Sequence, residues 1–158
     1  MPNIYNFFKF LEKKKGTKTP IEAKLLYAPE EITDEDLNVE GDLNLRNTPI
    51  TSLPDNLQVG GGINLSNTKI TSLPNNLKVG GYLTLTNLKI TSLPDNLKVG
   101  GNLILSHSKI SSIPNNLKVG RSLYLRNTPL EVLYSEKEIR NMIEKKGGYV
   151  KGEIYGVD

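Results

Sequence analysis

Apolar residues return along this chain on a fixed beat. Leu-x-Leu pairs or their equivalents stand at Leu43/Leu45, Ile63/Leu65, Leu83/Leu85, Leu103/Leu105 and Leu123/Leu125. Leu-Pro follows at Leu53-Pro54, Leu73-Pro74 and Leu93-Pro94, with Ile113-Pro114 in the next slot. Shifting Leu77–Ser92 by twenty residues in either direction lands it on a near copy of itself. A fixed period of this length predicts a solenoid. Within each period the alternation V-G-G-x-L-x-L predicts a strand with one buried face. Identical strands in successive turns must lie side by side, which makes a parallel sheet along the axis, about 4.8 Å per turn and roughly 24 Å for five turns. The inward set of the third turn is Leu77, Val79, Leu83, Leu85, Ile90 and Leu93. No single turn can bury these residues alone, so the array is expected to fold as one unit.

The period divides the chain into three parts of one folded domain. Residues 1–36 form an N-terminal helical cap and connector, residues 37–136 five repeats (Leu37–Asn56, Leu57–Asn76, Leu77–Asn96, Leu97–Asn116, Leu117–Glu136), and residues 137–158 a C-terminal cap helix and terminal strand. In NIYNFFKFLEKKK, Ile4, Phe7, Phe8 and Leu11 fall at i, i+3, i+4 and i+7, a short amphipathic helix ended by Gly16. A solenoid end needs a cover, which makes this helix the expected N-terminal cap. A lipid-surface helix is the alternative, because aromatic residues and Lys suit an interface. Ile21–Tyr27 is expected to add a short helix or an edge strand. At the other end Ser135-Glu-Lys-Glu138 is a capping box, and Ile139, Met142 and Ile143 give the helix one apolar stripe. The tail YVKGEIYG echoes V-x-G-x-L-x-L and is expected to add a last strand at the open edge.

The constant polar positions have local reasons. Gly60-Gly61, Gly80-Gly81 and Gly100-Gly101 fit a corner that needs either positive φ or close backbone approach. Pro at 54, 74, 94 and 114 suits a bend off the ladder. Asn56, Asn76, Asn96 and Asn116 tolerate left-handed backbone. Thr48, Thr68, Ser108 and Thr128 are candidates for a hydroxyl ladder broken by Leu88.

Composition changes this picture little. There is no Cys, which removes disulfides and thiolate metal sites and fits a reducing compartment. MPNIYNFFKF has no basic leader with an apolar core, and no apolar run reaches membrane-spanning length, so neither signal peptide nor membrane insertion is expected, and the expected location is cytoplasmic. A net charge of +3 is too weak alone to imply a nucleic-acid partner.

LNLRNTPITSL, from Leu43 to Leu53, resembles the leucine-rich repeat core L-x-L-x-x-N-x-L-x-x-L, and every later repeat does the same. The twenty-residue period and the Leu-Pro step are similar to the short bacterial type found in leucine-rich effectors of enteric pathogens, and to repeats that recur in tailed-phage genomes. The resemblance implies a solenoid scaffold and no particular activity. Two departures stand out. The Asn-ladder slot holds Thr48, Thr68, Leu88, Ser108 and Thr128, and L-x-V-G-G replaces the second proline. The turn after Leu-Pro is thereby free to carry a second strand, a cross-section closer to a β-helix than to an open horseshoe. The expected fold is a repeat solenoid, a parallel β-sheet, leucine-rich-repeat-like or β-helix-like array of five turns with helical caps.

Catalytic chemistry has few candidates. The only His, His107, occupies a slot that elsewhere holds Asn47, Asn67, Asn87 and Asn127, so an exposed repeat variant is its expected role. With no Cys and one His neither a transition-metal cluster nor a choice of triad bases is at hand. The Gly pairs lack the Lys-Ser/Thr of a phosphate loop. Asp34/Asp36 and Glu30/Glu31 lie in the polar connector. No enzyme, cofactor or metal is expected.

Binding is better supported. The variable slot between the strand leucines reads Asn44, Asn64, Thr84, Ile104, Tyr124, and the slot before them Asp42, Gly62, Tyr82, Asn102, Ser122. Aromatic and apolar residues among polar neighbours are common interface anchors, so Tyr82, Thr84, Asn102, Ile104 and Tyr124 form a candidate protein-binding face. Two lysine columns, Lys78/Lys98/Lys118 and Lys69/Lys89/Lys109, are the candidate polyanion site. They lack interleaved stacking aromatics and clustered Arg, so nucleic acid is the less favoured partner. The leading expectation is a non-enzymatic module that docks an unidentified protein, such as a phage-encoded modulator of a host protein. The alternatives are a polyanion binder and a self-associating structural or virion protein.

Overall fold

The computed structural model describes residues 4–156 and is a two-sheet parallel β-solenoid with helices at both ends. Each repeat contributes two strands of two residues. One set, β1 (Asn38–Val39), β3 (Gln58–Val59), β5 (Lys78–Val79), β7 (Lys98–Val99) and β9 (Lys118–Val119), builds the first sheet. The other, β2 (Leu43–Asn44), β4 (Ile63–Asn64), β6 (Leu83–Thr84), β8 (Leu103–Ile104) and β10 (Leu123–Tyr124), builds the second. The alternating stretch is thus two strands separated by a bend at the Gly pair, the β-helix-like form of the turn. A third side, Lys89–Leu93 in the third repeat, carries no regular strand but is tied across turns by bonds such as Lys109 N to Ile90 O, 3.1 Å.

Register follows the period without a slip. Leu83 pairs with Ile63 and Leu103, and Val79 with Val59 and Val99. The inward columns form one core, in which Leu43, Leu45, Ile63, Leu65, Leu83, Leu85, Ile90, Leu103, Leu123 and Leu125 are almost wholly buried.

The corners divide their work between residue types. None of the paired glycines has positive φ; the left-handed positions belong to Asn47, Asn67, Asn87, His107 and Asn127 at one corner and Asn56, Asn76, Asn96 and Asn116 at another, φ 53–62°. The glycines answer the second demand, close approach. A Cβ on Gly80 would lie 2.2 Å from Gly60 O, and one on Gly100 2.1 Å from Gly80 O. The left-handed Asn residues also bond to one another, Asn67 Nδ2 to Asn47 Oδ1 and Asn87 Nδ2 to Asn67 Oδ1, both 2.9 Å.

The expected hydroxyl ladder does not form. Thr48 and Thr128 donate to carbonyls of their own turn, Leu45 O (2.7 Å) and Leu125 O (2.6 Å). Their slot faces inward, where a hydroxyl meets the carbonyl three residues back before it can reach the next turn. Among the described residues the buried Thr68 Oγ1 has no hydrogen-bond partner, and Leu88 fills the same slot with an apolar side chain.

Both ends are closed, in ways that differ from the simplest expectation. Helix α1 (Ile4–Lys15) does not cover the core. Helix α2 (Ile21–Tyr27) does, burying Leu25, with Ile21, Leu26 and Ile32 packed beside it. Helix α1 sits on α2 through Tyr5 and Phe8, which lie against Ala23 and Ala28. The small alanines leave room for these rings, so Tyr5, rather than the Ile4–Phe7 side of the expected stripe, faces the body. A buried ion pair, Lys24 Nζ to Asp36 Oδ2 at 2.7 Å, pins α2 to the connector, and Thr33 N and Oγ1 both donate to the same carboxylate at 2.9 Å.

At the C-terminus a short helix α3 (Pro129–Leu133) and α4 (Glu136–Lys145) replace the third side of the fifth turn. The capping box at Ser135 and Glu138 is present, and Ile139 and Ile143 are buried. The chain then returns to both sheets. β11 (Tyr149–Val150) pairs with β9 and β12 (Ile154–Tyr155) with β10, so the tail adds two strands, one to each sheet. Arg140 holds this rung in place by donating to Val150 O (3.0 Å) and Gly152 O (3.1 Å).

Two outcomes follow from this packing. Gly100→Ala should destabilise the whole array, because the new methyl meets backbone rather than a movable side chain; a loss of roughly 1–3 kcal/mol or more in denaturant unfolding is expected, with one cooperative transition retained. Burial raises the Asp36 pKa, but the hydrogen bonds from Lys24 and Thr33 outweigh it and lower the pKa from 3.8 to about 2. The carboxylate therefore contributes stability above its unfolded pKa, and that contribution is lost as pH falls toward 2. Asp36→Asn, which leaves the Lys24 ammonium buried and unpaired, should cost about 3–5 kcal/mol at neutral pH and much less at pH 2 to 3.

Candidate functional site

The outward face of the second sheet carries the side chains that vary most from turn to turn. Inward leucines on either side fix Thr84, Ile104 and Tyr124 in one outward column, paired in register across β6, β8 and β10. Asn44 and Asn64 continue the column toward the N-terminus, where each turns its Oδ1 back to a backbone N–H, of Arg46 and Ser66 respectively. The column therefore grades from self-satisfied amides to apolar and aromatic side chains.

Its C-terminal end holds a residue outside the sequence-derived set. Tyr155, on β12, pairs in register with Tyr124, and the two rings stack with centroids 4.7 Å apart and 24° between planes. Tyr155 is exposed and Tyr124 half-buried. The signal for it was in the tail, where Ile154-Tyr155 repeats Leu123-Tyr124, but the offset is 31 residues rather than twenty.

Tyr82 and Asn102 stand one step outside the column, at the bend before the strands. Tyr82 is seated over the preceding turn: a Cβ on Gly62 would collide with its ring at 2.3 Å, so Gly62 is what lets the ring lie flat there. Asn102 has a structural task, since its Oδ1 accepts the Ser122 N–H at 3.0 Å. Asp42 does the same for Gly62 N at 2.6 Å. Beyond this bend Tyr82, Asn102 and Arg121 border a shallow cleft of about 310 Å³ floored by Gly80, Gly81, Gly100 and Gly101.

The lysine columns lie on the other two sides. Lys78, Lys98 and Lys118 are in register on the outer face of the first sheet, and Lys69, Lys89 and Lys109 run along the third side. Among the described residues none of the six forms an ion pair; every salt bridge lies in the caps. Residues 57–126 carry eight Lys or Arg against one acid, Asp95, so the middle of the solenoid is far more basic than the chain as a whole. His107 is exposed at a left-handed corner, with Asn127 Nδ2 3.2 Å from its Nδ1. Among the described residues no three His, Asp or Glu side chains are grouped to hold a metal. Among the described residues no helix is long and apolar enough to cross a membrane.

No family model, curated protein or solved structure matches this chain.

The stacked pair makes its own prediction. Tyr155→Ser should remove about 0.5–1.5 kcal/mol of unfolding stability and leave the Tyr124 ring more exposed, read as stronger quenching of tyrosine fluorescence.

Proposed function

We propose that this solenoid is a non-enzymatic binding module that docks a partner protein through the outer face of its second sheet. The observation that carries the reading is the run Thr84–Ile104–Tyr124–Tyr155, a half-exposed apolar and aromatic column with Tyr82 beside it, on strands whose inner residues are rigidly packed. Rigid aromatic side chains held by a β-scaffold lose little conformational entropy on contact, which is why Tyr dominates many binding hot spots. This cluster is smaller than the 20–30 residues a stable interface typically takes from each side. It fits the centre of such an interface, with the flanking Asn44, Asn64 and Asn102 and the Arg121 end of the cleft as its polar rim. The leucine-rich-repeat resemblance, a cytoplasmic setting and a role as a phage-encoded modulator of a host protein belong to the same proposal.

A second reading has its own support. The two unpaired lysine columns present cations at about 4.8 Å intervals on two sides of the prism, a surface suited to a polyanion bound by charge alone. Such binding would fall steeply with salt. Self-association through the short strands at the solenoid ends is the third.

Capture from host-cell lysate with the native chain, and with an Ile104→Asp/Tyr124→Asp variant of native circular dichroism, separates the first two. Docking through the second sheet predicts a protein held by the native chain at moderate salt and lost by the variant. Capture that the variant retains, and that salt or nuclease abolishes, would move the site to the lysine columns.

A further inference from the structure

Helix α1 presents two opposite faces, and only one of them is used. Tyr5 is buried and donates its hydroxyl to Glu31; Glu12 accepts from Thr19 Oγ1 at 2.9 Å, and Lys9 pairs with Glu31 at 2.7 Å. The contacts that seat α1 on the body, together with the half-buried Phe8, lie on this side. On the other side Ile4, Phe7 and Phe10 are 51%, 56% and 52% exposed. At about 100° per residue these three fall within an arc of roughly 120°, which also contains Lys14. The Lys14 ammonium lies 5.0 Å from the centroid of the Phe10 ring. Lys15 falls about 20° beyond one border of that arc and Lys13 about 60° beyond the other.

The charges are segregated in the same way. The acidic side chains that touch α1, Glu12 and Glu31, are both on the seated side and already engaged. Lys13, Lys14 and Lys15 are exposed and form no ion pair among the described residues. Exposed aromatic and aliphatic side chains bordered by uncompensated lysines fit one environment better than others. An acyl boundary takes the rings while anionic headgroups take the ammonium groups, which reach them by snorkelling. A second copy of this helix would satisfy the apolar arc but would bring six unpaired lysines into one small contact.

We propose that α1 is a peripheral membrane-docking helix, lying along an anionic lipid surface with Ile4, Phe7 and Phe10 in the acyl boundary and Lys13, Lys14 and Lys15 among the headgroups. At twelve residues it lies on a bilayer and does not span it. The proposal does not rest on docking through the second sheet.

Cosedimentation of the full chain with vesicles tests it. At low salt the native chain should bind mixed phosphatidylserine–phosphatidylcholine vesicles and bind pure phosphatidylcholine far less. Phe7→Ser/Phe10→Ser should weaken partition roughly tenfold or more. Lys13→Gln/Lys14→Gln/Lys15→Gln should remove most of the preference for phosphatidylserine, a change of roughly ten- to a hundredfold. All these side chains are exposed, so circular dichroism should stay native. The Ile104→Asp/Tyr124→Asp variant, altered only on the second sheet, should bind vesicles as the native chain does. No binding to either vesicle, or equal binding by the Phe variant, overturns the proposal. So does a Phe variant whose only change is loss of a concentration-dependent dimer in vesicle-free sedimentation, which would assign the face to a second copy.

Discussion

Everything in this molecule depends on the distance between one turn and the next. Backbone N–H groups of each turn reach carbonyls of its neighbour, as in Leu83 N to Asn102 O and Gly100 N to Val79 O, and those bonds set the turns as close as a parallel sheet allows. At the bend between the two sheets the backbone carbonyl of one turn points straight at the α-carbon of the next. The 2.1–2.2 Å that a Cβ would find at Gly80, Gly100 and Gly120 is the measure of that constraint. Glycine there is a condition for stacking. The contact is always with the turn before, so Glu40, which opens the column, is free of it; Lys151 in the last rung is the exception, a side chain in the column although its N–H bonds Val119 O as the glycines bond their neighbours.

The same spacing explains why the second corner is asparagine. A left-handed residue that carries a side chain is tolerated mainly when it is Asn or Asp. A turn-to-turn repeat also lets each carboxamide donate to the one below, so the residue that suits the backbone suits the ladder as well. His107 keeps the left-handed φ and a contact with Asn127, but it is an aromatic ring in a row of amides. Leu88 is the inward counterpart one repeat earlier, an apolar side chain in a row of hydroxyls. Because Thr48 and Thr128 bond within their own turns, losing one hydroxyl leaves the neighbouring turns intact, and the slot can accept leucine.

Much of this was legible in the sequence because a solenoid is nearly one-dimensional. A contact between turns is a contact at fixed separation, so periodicity reads directly as proximity, and the core columns and outward slots followed from it. The misreadings arose where proximity stopped being periodic. The last rung lay behind an insertion of two helices, which moved Tyr155 from an offset of twenty to one of 31 and hid its stack on Tyr124. In α1 the apolar stripe was real, but a helical wheel cannot say which arc meets the body. Ala23 and Ala28 decided that, by making a seat in a different element. Sequence leaves the glycine corner a choice between strained backbone and close approach, and the structure gives the left-handed positions to the asparagines and the close approach to the glycines.

The outer surface shows what the scaffold leaves free. Each turn consumes its inward leucines, its bend glycines and its left-handed asparagines, and what remains is a few outward positions on each of three sides. In the middle turns those positions hold lysine on the first sheet (Lys78, Lys98, Lys118) and on the third side (Lys69, Lys89, Lys109), a residue that opposes lateral pairing of strands. On the second sheet they drift from asparagine to isoleucine and tyrosine over four turns. The local roles drift with them: Asn44 and Asn64 turn back to backbone N–H groups, whereas Tyr124 stacks on Tyr155 of the last rung. The strand pairing holds Asn64, Thr84, Ile104 and Tyr124 at one geometric position, so what changes from turn to turn is the chemistry that this position shows to its surroundings.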